Sequence, residues 1–126
     1  MTYFADLSRY TYGPGWRRML NVGWLERGHD FAVGQVESGV LDRLTILAEH
    51  QENVMRGTHD CQFCTLESPL HFPAPVARGF VSLGMGELHV KGRWGVKYAA
   101  PSLIIHYISA HSYLPPQEFL DAVRVD

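Results

Sequence analysis

The sequence predicts an α+β fold with antiparallel strands and two or three helices, and three observations carry that expectation. Leu88 and Val90 alternate with Glu87 and His89, and Trp94, Val96 and Tyr98 alternate with Gly95 and Lys97 across Lys91-Gly92-Arg93, which is the period-two pattern of a hairpin with one inward face. Val40, Leu41, Leu44 and Leu47 or Ala48 instead recur at helical spacing. A chain of 126 residues with 46% hydrophobic content and three tryptophans has the length of one globular domain spanning 1–126, with a modest core.

At the start, Tyr3, Phe4, Leu7, Tyr10, Tyr12 and Trp16 form an aromatic-rich segment interrupted by Gly13-Pro14-Gly15. Such a segment anchors an irregular arm by burying rings, with an aromatic ligand surface as the alternative. Arg17 and Arg18 read as solvated surface charges, with an anion contact beside Trp16 as the alternative. Leu20 to Leu25 and Phe31-Ala32-Val33 are strand candidates joined antiparallel through the turn-like Glu26 to Asp30. Ser38 is the expected N-cap of the first helix, because its hydroxyl can accept a first-turn N–H. Glu49 to Asn53 is a polar exit in which His50 is exposed. Pro69, Pro73 and Pro75 mark a loop that contains His71, since each proline lacks a backbone donor. Phe80 to Leu83 is a short strand, and Gly84-Met85-Gly86 is a bend without the strand and helix context of a phosphate loop.

After the hairpin, His89 falls on the polar side, where a solvated or internally hydrogen-bonded ring is the simpler role than a catalytic base. Ser102 to His111 is expected to be helical, with Pro101 in its first turn and Leu103, Ile104, Tyr107 and Ile108 on one face. Its isoleucines keep a buried strand open as the alternative. Gln117 to Val123 forms a last short helix, with Phe119, Leu120 and Val123 packed inward and Glu118 near the positive end of the dipole.

Both cysteines of the chain lie in His59-Asp60-Cys61-Gln62-Phe63-Cys64, with Gly57 placed to turn the backbone into that segment. Cys61-x2-Cys64 supplies two soft thiolates, and His106-x4-His111 supplies two neutral imidazoles, so the four together balance the charge of one zinc ion. His106 and His111 stand wider apart around an ideal helix than a pair four residues apart, yet both can ligate if the last turn loosens, and the x3-5 spacing of zinc fingers allows this geometry. His59 could replace either of them. Two inert thiols and a redox-active Cys-x-x-Cys are the competing interpretations. The redox one lacks a long helix after Cys64 whose N-terminus would stabilise a thiolate.

A cysteine knuckle followed by a hairpin and a histidine-bearing helix resembles an expanded treble-clef zinc arrangement. The segments Arg56-Gly57-x-His59-x-Cys61-x-Phe63-Cys64 and His106-Tyr107-Ile108-x-Ala110-His111-x-Tyr113-x-Pro115-Pro116-x-Glu118-Phe119 also resemble an uncharacterised family of small bacterial proteins. That resemblance covers most of the chain and implies no activity.

Function classes narrow accordingly. A formal charge of −2 gives no general affinity for nucleic acid. The N-terminus lacks a basic region followed by an apolar run, and no segment is long and apolar enough to span a bilayer, so a cytoplasmic location without membrane association is expected. Two readings remain. One is a zinc-stabilised protein-binding or regulatory domain, whose closed shell leaves aromatic and mixed-charge surfaces for a protein partner. The other is a zinc-dependent hydrolase with an open metal position and His59 or Glu87 moving a proton. Glu87-x-His89 does not reproduce the ordered motif of a zinc nucleobase deaminase.

Overall fold

In a computed structural model of the chain, the structure describes residues 3–10, 19–52, 60–64, 70–73, 80–84 and 86–125. The hairpin lies at its centre. Strands β4 (Glu87–Lys91) and β5 (Lys97–Pro101) pair antiparallel with Val90 opposite Tyr98 and Leu88 opposite Ala100. A third strand, β1 (Met19–Asn21), joins the other edge of β5 in parallel, giving the order β1-β5-β4. The expected antiparallel strands are present in β4 and β5, and β1 makes the sheet mixed. Parallel pairing leaves no hairpin turn between its partners for the sequence to announce.

Period-two alternation sorts the sheet into two faces. Leu88, Val90, Tyr98 and Ala100 join the main core, while Ala99 packs with Tyr10 and Met19 on the opposite side. His89 and Glu87 lie on that second side, and an internal hydrogen-bond chain holds them. Tyr10 donates its hydroxyl proton to Glu87 Oε1 at 2.9 Å, His89 Nε2 lies 2.9 Å from the same oxygen, and His89 Nδ1 lies 2.9 Å from Glu52 Oε2. His89 is thus internally bonded, as the alternation implied.

Of the two residues expected to pack inward before Tyr98, Val96 is partly buried against the main core, although it precedes the strand, and Trp94 does not pack inward. The connection is longer than a two-residue turn, with a 3-10 turn at Arg93–Gly95, and Trp94 is 70% exposed. Gly92 shows why the turn departs from the sheet: a Cβ there would lie 2.6 Å from the Tyr98 ring, so the backbone rests directly on that ring.

Upstream, β1 ends at Asn21 rather than continuing to Leu25. Gly23 has φ +81°, which turns the chain out of the strand, although Val22 still donates its N–H to the Ala99 carbonyl at 3.0 Å. The Trp24 indole donates to the same carbonyl at 3.0 Å and meets Phe4 edge-on, so the N-terminal aromatics act as anchors. Tyr12, Trp16, Arg17 and Arg18 lie outside the described residues. Phe31-Ala32-Val33 does not pair with β1. Val33 instead forms an isolated bridge with Tyr113.

Helix α1 (Ser38–Ala48) buries Val40, Leu44, Thr45 and Ala48. Ser38 is its first residue, and Glu37 occupies the N-cap without a side-chain bond, so the expected serine cap is not formed. Thr45 becomes tolerable in the core because its hydroxyl donates to the Leu41 carbonyl at 2.7 Å. Val40 and Leu44 at full burial contribute about 1.5–3 kcal/mol each. His50 is exposed, as expected.

The proline-rich segment is not simply a loop: Leu70–Pro73 forms β2, antiparallel to β3 (Phe80–Leu83) in a separate two-stranded sheet. Pro73 stands at the end of the strand, where a missing donor is least costly. Pro101 likewise closes β5 rather than opening a helix. The next helix, α2 (Ile104–His111), is cast as a helix as favoured, although it starts two residues later than expected. Ser102 fixes that start, donating its N–H to the Gly86 carbonyl at 2.9 Å and accepting the Gly84 N–H on its hydroxyl at 2.8 Å. Helix α3 (Gln117–Val125) buries Phe119, Leu120 and Val123 and packs against α1 and β4.

Two predictions follow from this packing. Gly23→Ala adds a Cβ that would meet Ile104 Cδ1 at 2.8 Å on a backbone disfavoured for L-residues, so thermal or urea unfolding should show a loss of about 1–3 kcal/mol. The second concerns Tyr98, which donates to Glu118 Oε2 at 2.7 Å. Burial first, and Glu118 second, push its hydroxyl from the ordinary 10 up to about 12. A raised folded value means that this stabilisation is complete below pH 10 and is lost as pH climbs towards 12. Tyr98→Phe should flatten that part of the stability profile in alkaline unfolding measurements.

Candidate metal centre

The knuckle is built by local bonds and one distant clamp. Phe63 donates its N–H to Cys61 Sγ at 3.4 Å, which folds the backbone around the first sulfur and provides a donor for a thiolate. Arg27 reaches in from the turn after Leu25. Its backbone N–H donates to Gln62 Oε1 at 2.9 Å, and its guanidinium Nε donates to the Gln62 carbonyl at 3.1 Å, joined there by Nη2. The turn between the cysteines is thereby fastened from outside.

The histidines come from opposite ends of one short helix. His106 is the third residue of α2 and His111 the last, which places them about 140° apart on an ideal helix. The helix runs unbroken through His111, so the expected loosening of its last turn does not occur and the side chains themselves converge. Ser112 adopts a left-handed conformation at φ 55°, and the Tyr113 N–H turns back to the Tyr107 carbonyl at 3.1 Å. The two imidazole centroids lie 5.0 Å apart at 80°.

Cys61 Sγ is 3.3 Å from His111 Nε2, and Cys64 Sγ is 3.3 Å from His106 Nε2. One candidate ligand atom from each of the four residues lies within 4.8 Å of the others. A tetrahedral zinc with bonds of about 2.3 Å to sulfur and about 2.0–2.1 Å to nitrogen needs ligand edges of roughly 3.4–3.8 Å. The cluster is close to that size, so the donor set fits such an ion with only small side-chain movement. Both sulfurs are free thiols rather than a disulfide.

Electrostatics favour the ligand form of His106 and make the unaided Cys61 thiol a poor nucleophile. Burial, more than the neighbouring Cys64, pushes the Cys61 thiol up to about 11. Burial first and His111 second lower His106, keeping its imidazole neutral. A cation among the four groups would stabilise the thiolates that burial disfavours. Around the cluster stands an aromatic wall: Phe63 meets His111 at 5.7 Å, Tyr107 at 6.0 Å and Phe31 at 5.3 Å. Neither this wall nor the Arg27 clamp was anticipated. The motif residue Phe63 hinted at the wall, whereas Arg27 carried no spacing signal.

The structure brings Cys61, Cys64, His106 and His111 together in a treble-clef-like arrangement. His59, Gly57 and the remainder of 53–59 lie outside the described residues. Glu87 does not belong to this group and is engaged by Tyr10 and His89 instead.

Tyr107 lies against this centre, its hydroxyl raised by burial first and then by Cys61 and Cys64. Among the described residues that buried hydroxyl has no hydrogen-bond partner. Tyr107→Phe should therefore cost nothing and raise stability by up to about 1 kcal/mol, read as a higher melting temperature. A loss of more than 1 kcal/mol would show that the hydroxyl is bonded in solution.

A family model described as Domain of unknown function (DUF7919) matches residues 2–124, and the chain belongs to that family. No curated protein and no solved structure matches it.

Proposed function

We propose that this family member binds one zinc ion through Cys61, Cys64, His106 and His111, and that it acts as a protein-binding or regulatory domain whose fold the metal stabilises. The observation that carries this reading is the convergence of two sulfurs and two imidazole nitrogens within 4.8 Å. Two thiolates and two neutral imidazoles neutralise a divalent ion, and four protein donors fill a tetrahedral shell without leaving a position for water. When bound, zinc supplies a cross-link between the knuckle and α2.

The chain's own residues do the rest. Arg27 and the Phe63 N–H hold the knuckle, α2 carries His106 and His111 with their rings 5.0 Å apart, and Phe31, Phe63 and Tyr107 limit water access. The alternative of a zinc-dependent hydrolase draws less support. Glu87, one of its two candidate proton carriers, is already bonded to Tyr10 and His89, and the other, His59, lies outside the described residues. Among the described residues no helix is long and apolar enough to cross a membrane. The cytoplasm, where thiols stay reduced, is the compartment that suits this donor set.

Metal quantification on freshly purified, reduced protein should give one zinc per chain. Cys61→Ala, Cys64→Ala, His106→Ala and His111→Ala should each lose most of it, whereas His59→Ala should keep it. Full occupancy after either cysteine substitution would overturn this ligand set, and strong loss in His59→Ala would replace one later histidine with His59. With zinc a thousandfold above its dissociation constant, saturation should add about 4 kcal/mol of stability that a chelator removes. Zinc-dependent turnover of a defined substrate would favour the hydrolase.

A further inference from the structure

A second concave site lies away from the metal centre, between the β4–β5 connection and α3. Its volume is about 460 Å³, within the range of small-ligand pockets, and Trp94, Val96, Tyr98, Glu118 and Asp121 contribute to its lining. Three features distinguish it from an ordinary surface depression.

The first is Trp94, which is 70% exposed and has φ 60° and ψ 33°. A bulky side chain in the left-handed region costs on the order of 1–3 kcal/mol, and burial of the indole does not compensate here. Gly95 follows at φ 76°, so the connection carries two consecutive left-handed residues that present the indole at the cavity.

The second feature is a carboxylate wall on α3. Glu118 Oε2 accepts the Tyr98 hydroxyl at 2.7 Å, which orients the carboxylate while Tyr98 stays protonated over the physiological range. Asp121 stands one turn further on, with Oδ1 accepting from Gln117 and Arg124. An aromatic face opposed to carboxylates is the chemistry that holds an organic cation, through the ring quadrupole on one side and charge-assisted hydrogen bonds on the other.

The third feature is the placement of Lys91 and Arg93, which are exposed and also line this site. They oppose a bare cation but favour one with anionic groups beside it. A polypeptide with a basic side chain flanked by acidic residues meets all these charges.

We infer that this cavity receives an arginine or lysine side chain of a partner protein, with neighbouring acidic residues of the partner against Lys91 and Arg93. The inference rests on the protein-binding reading above and names the chemistry of the partner. Trp94 and Glu118 are the specificity determinants.

The test uses zinc-loaded protein and four probes: N-acetyl-arginine methylamide, acetyl-Asp-Arg-Asp amide, N-acetyl-glutamate methylamide and uridine monophosphate. The indole N–H resonance of Trp94 and the methyl resonances of Val96 report binding. Both arginine probes should give saturable shifts, with the acidic-flanked peptide at least threefold tighter at low salt, and the glutamate amide should give none. Glu118→Gln, which keeps an acceptor for Tyr98, should weaken the arginine probes at least tenfold, and Trp94→Ala should abolish the Val96 shifts. Absence of saturation by the arginine probes, tighter binding of the glutamate amide or the nucleotide, or indifference to Glu118→Gln would overturn the inference. Zinc counted in the same samples separates the two proposals. Arginine binding with substoichiometric zinc removes the metal alone, and full zinc without arginine binding removes this site alone.

Discussion

The double burial of β5 is the constraint on which the remaining arrangement depends. Tyr98, Ala99, Ala100 and Pro101 are all buried, with β1 on one edge and β4 on the other. Two consecutive alanines let both layers approach the strand, and the Ala99 carbonyl accepts from Val22 and Trp24 at once. Because α2 begins three residues after Pro101, the position of β5 also sets the height and direction of the helix that carries His106 and His111. Ser102, with no exposed surface, ties that junction to the glycine bend before β4. The metal centre is thus placed by a strand that contributes no candidate ligand to it.

The cluster and the peripheral cavity illustrate opposite uses of burial. At the cluster, removal from water disfavours charge, keeping His106 neutral and the Cys61 thiol protonated until a cation offsets the cost. At the cavity, Glu118 remains exposed while the buried Tyr98 hydroxyl orients it. One environment suits a desolvated ion enclosed by four donors, and the other suits a hydrated group that enters from solvent.

Much of this was legible in the chain because its signals were local. The period-two alternation located the hairpin from Glu87 to Tyr98, and helical spacing found α1, α2 and α3 within a few residues. The pairing of His106 with His111 was also visible from their spacing, although the turn between them stays helical and the imidazoles converge without the loosening that the spacing suggested. What stayed hidden was decided at a distance or by a single backbone angle. The parallel partner of β1, the Val33 bridge to Tyr113 and the Arg27 clamp on Gln62 join segments with no shared motif. Trp94 looked like a core position because its spacing continued the alternation, yet the turn ended the strand before reaching it. Leu70–Pro73 was obscured by prolines that a short strand end tolerates.

The parallel pairing of β1 also has a kinetic consequence. Met19 meets Lys97 seventy-eight positions away, whereas Lys91 meets the same Lys97 only six positions away across the hairpin. Loop-closure entropy makes the distant pairing costlier by about 2 kcal/mol before any contact repays it. The hairpin and the helix that follows it are therefore the natural early structure, and β1 closes onto a strand already formed. During that interval the second edge of β5 carries unpaired backbone groups, which makes the nascent chain, rather than the finished fold, the stage most exposed to intermolecular strand addition.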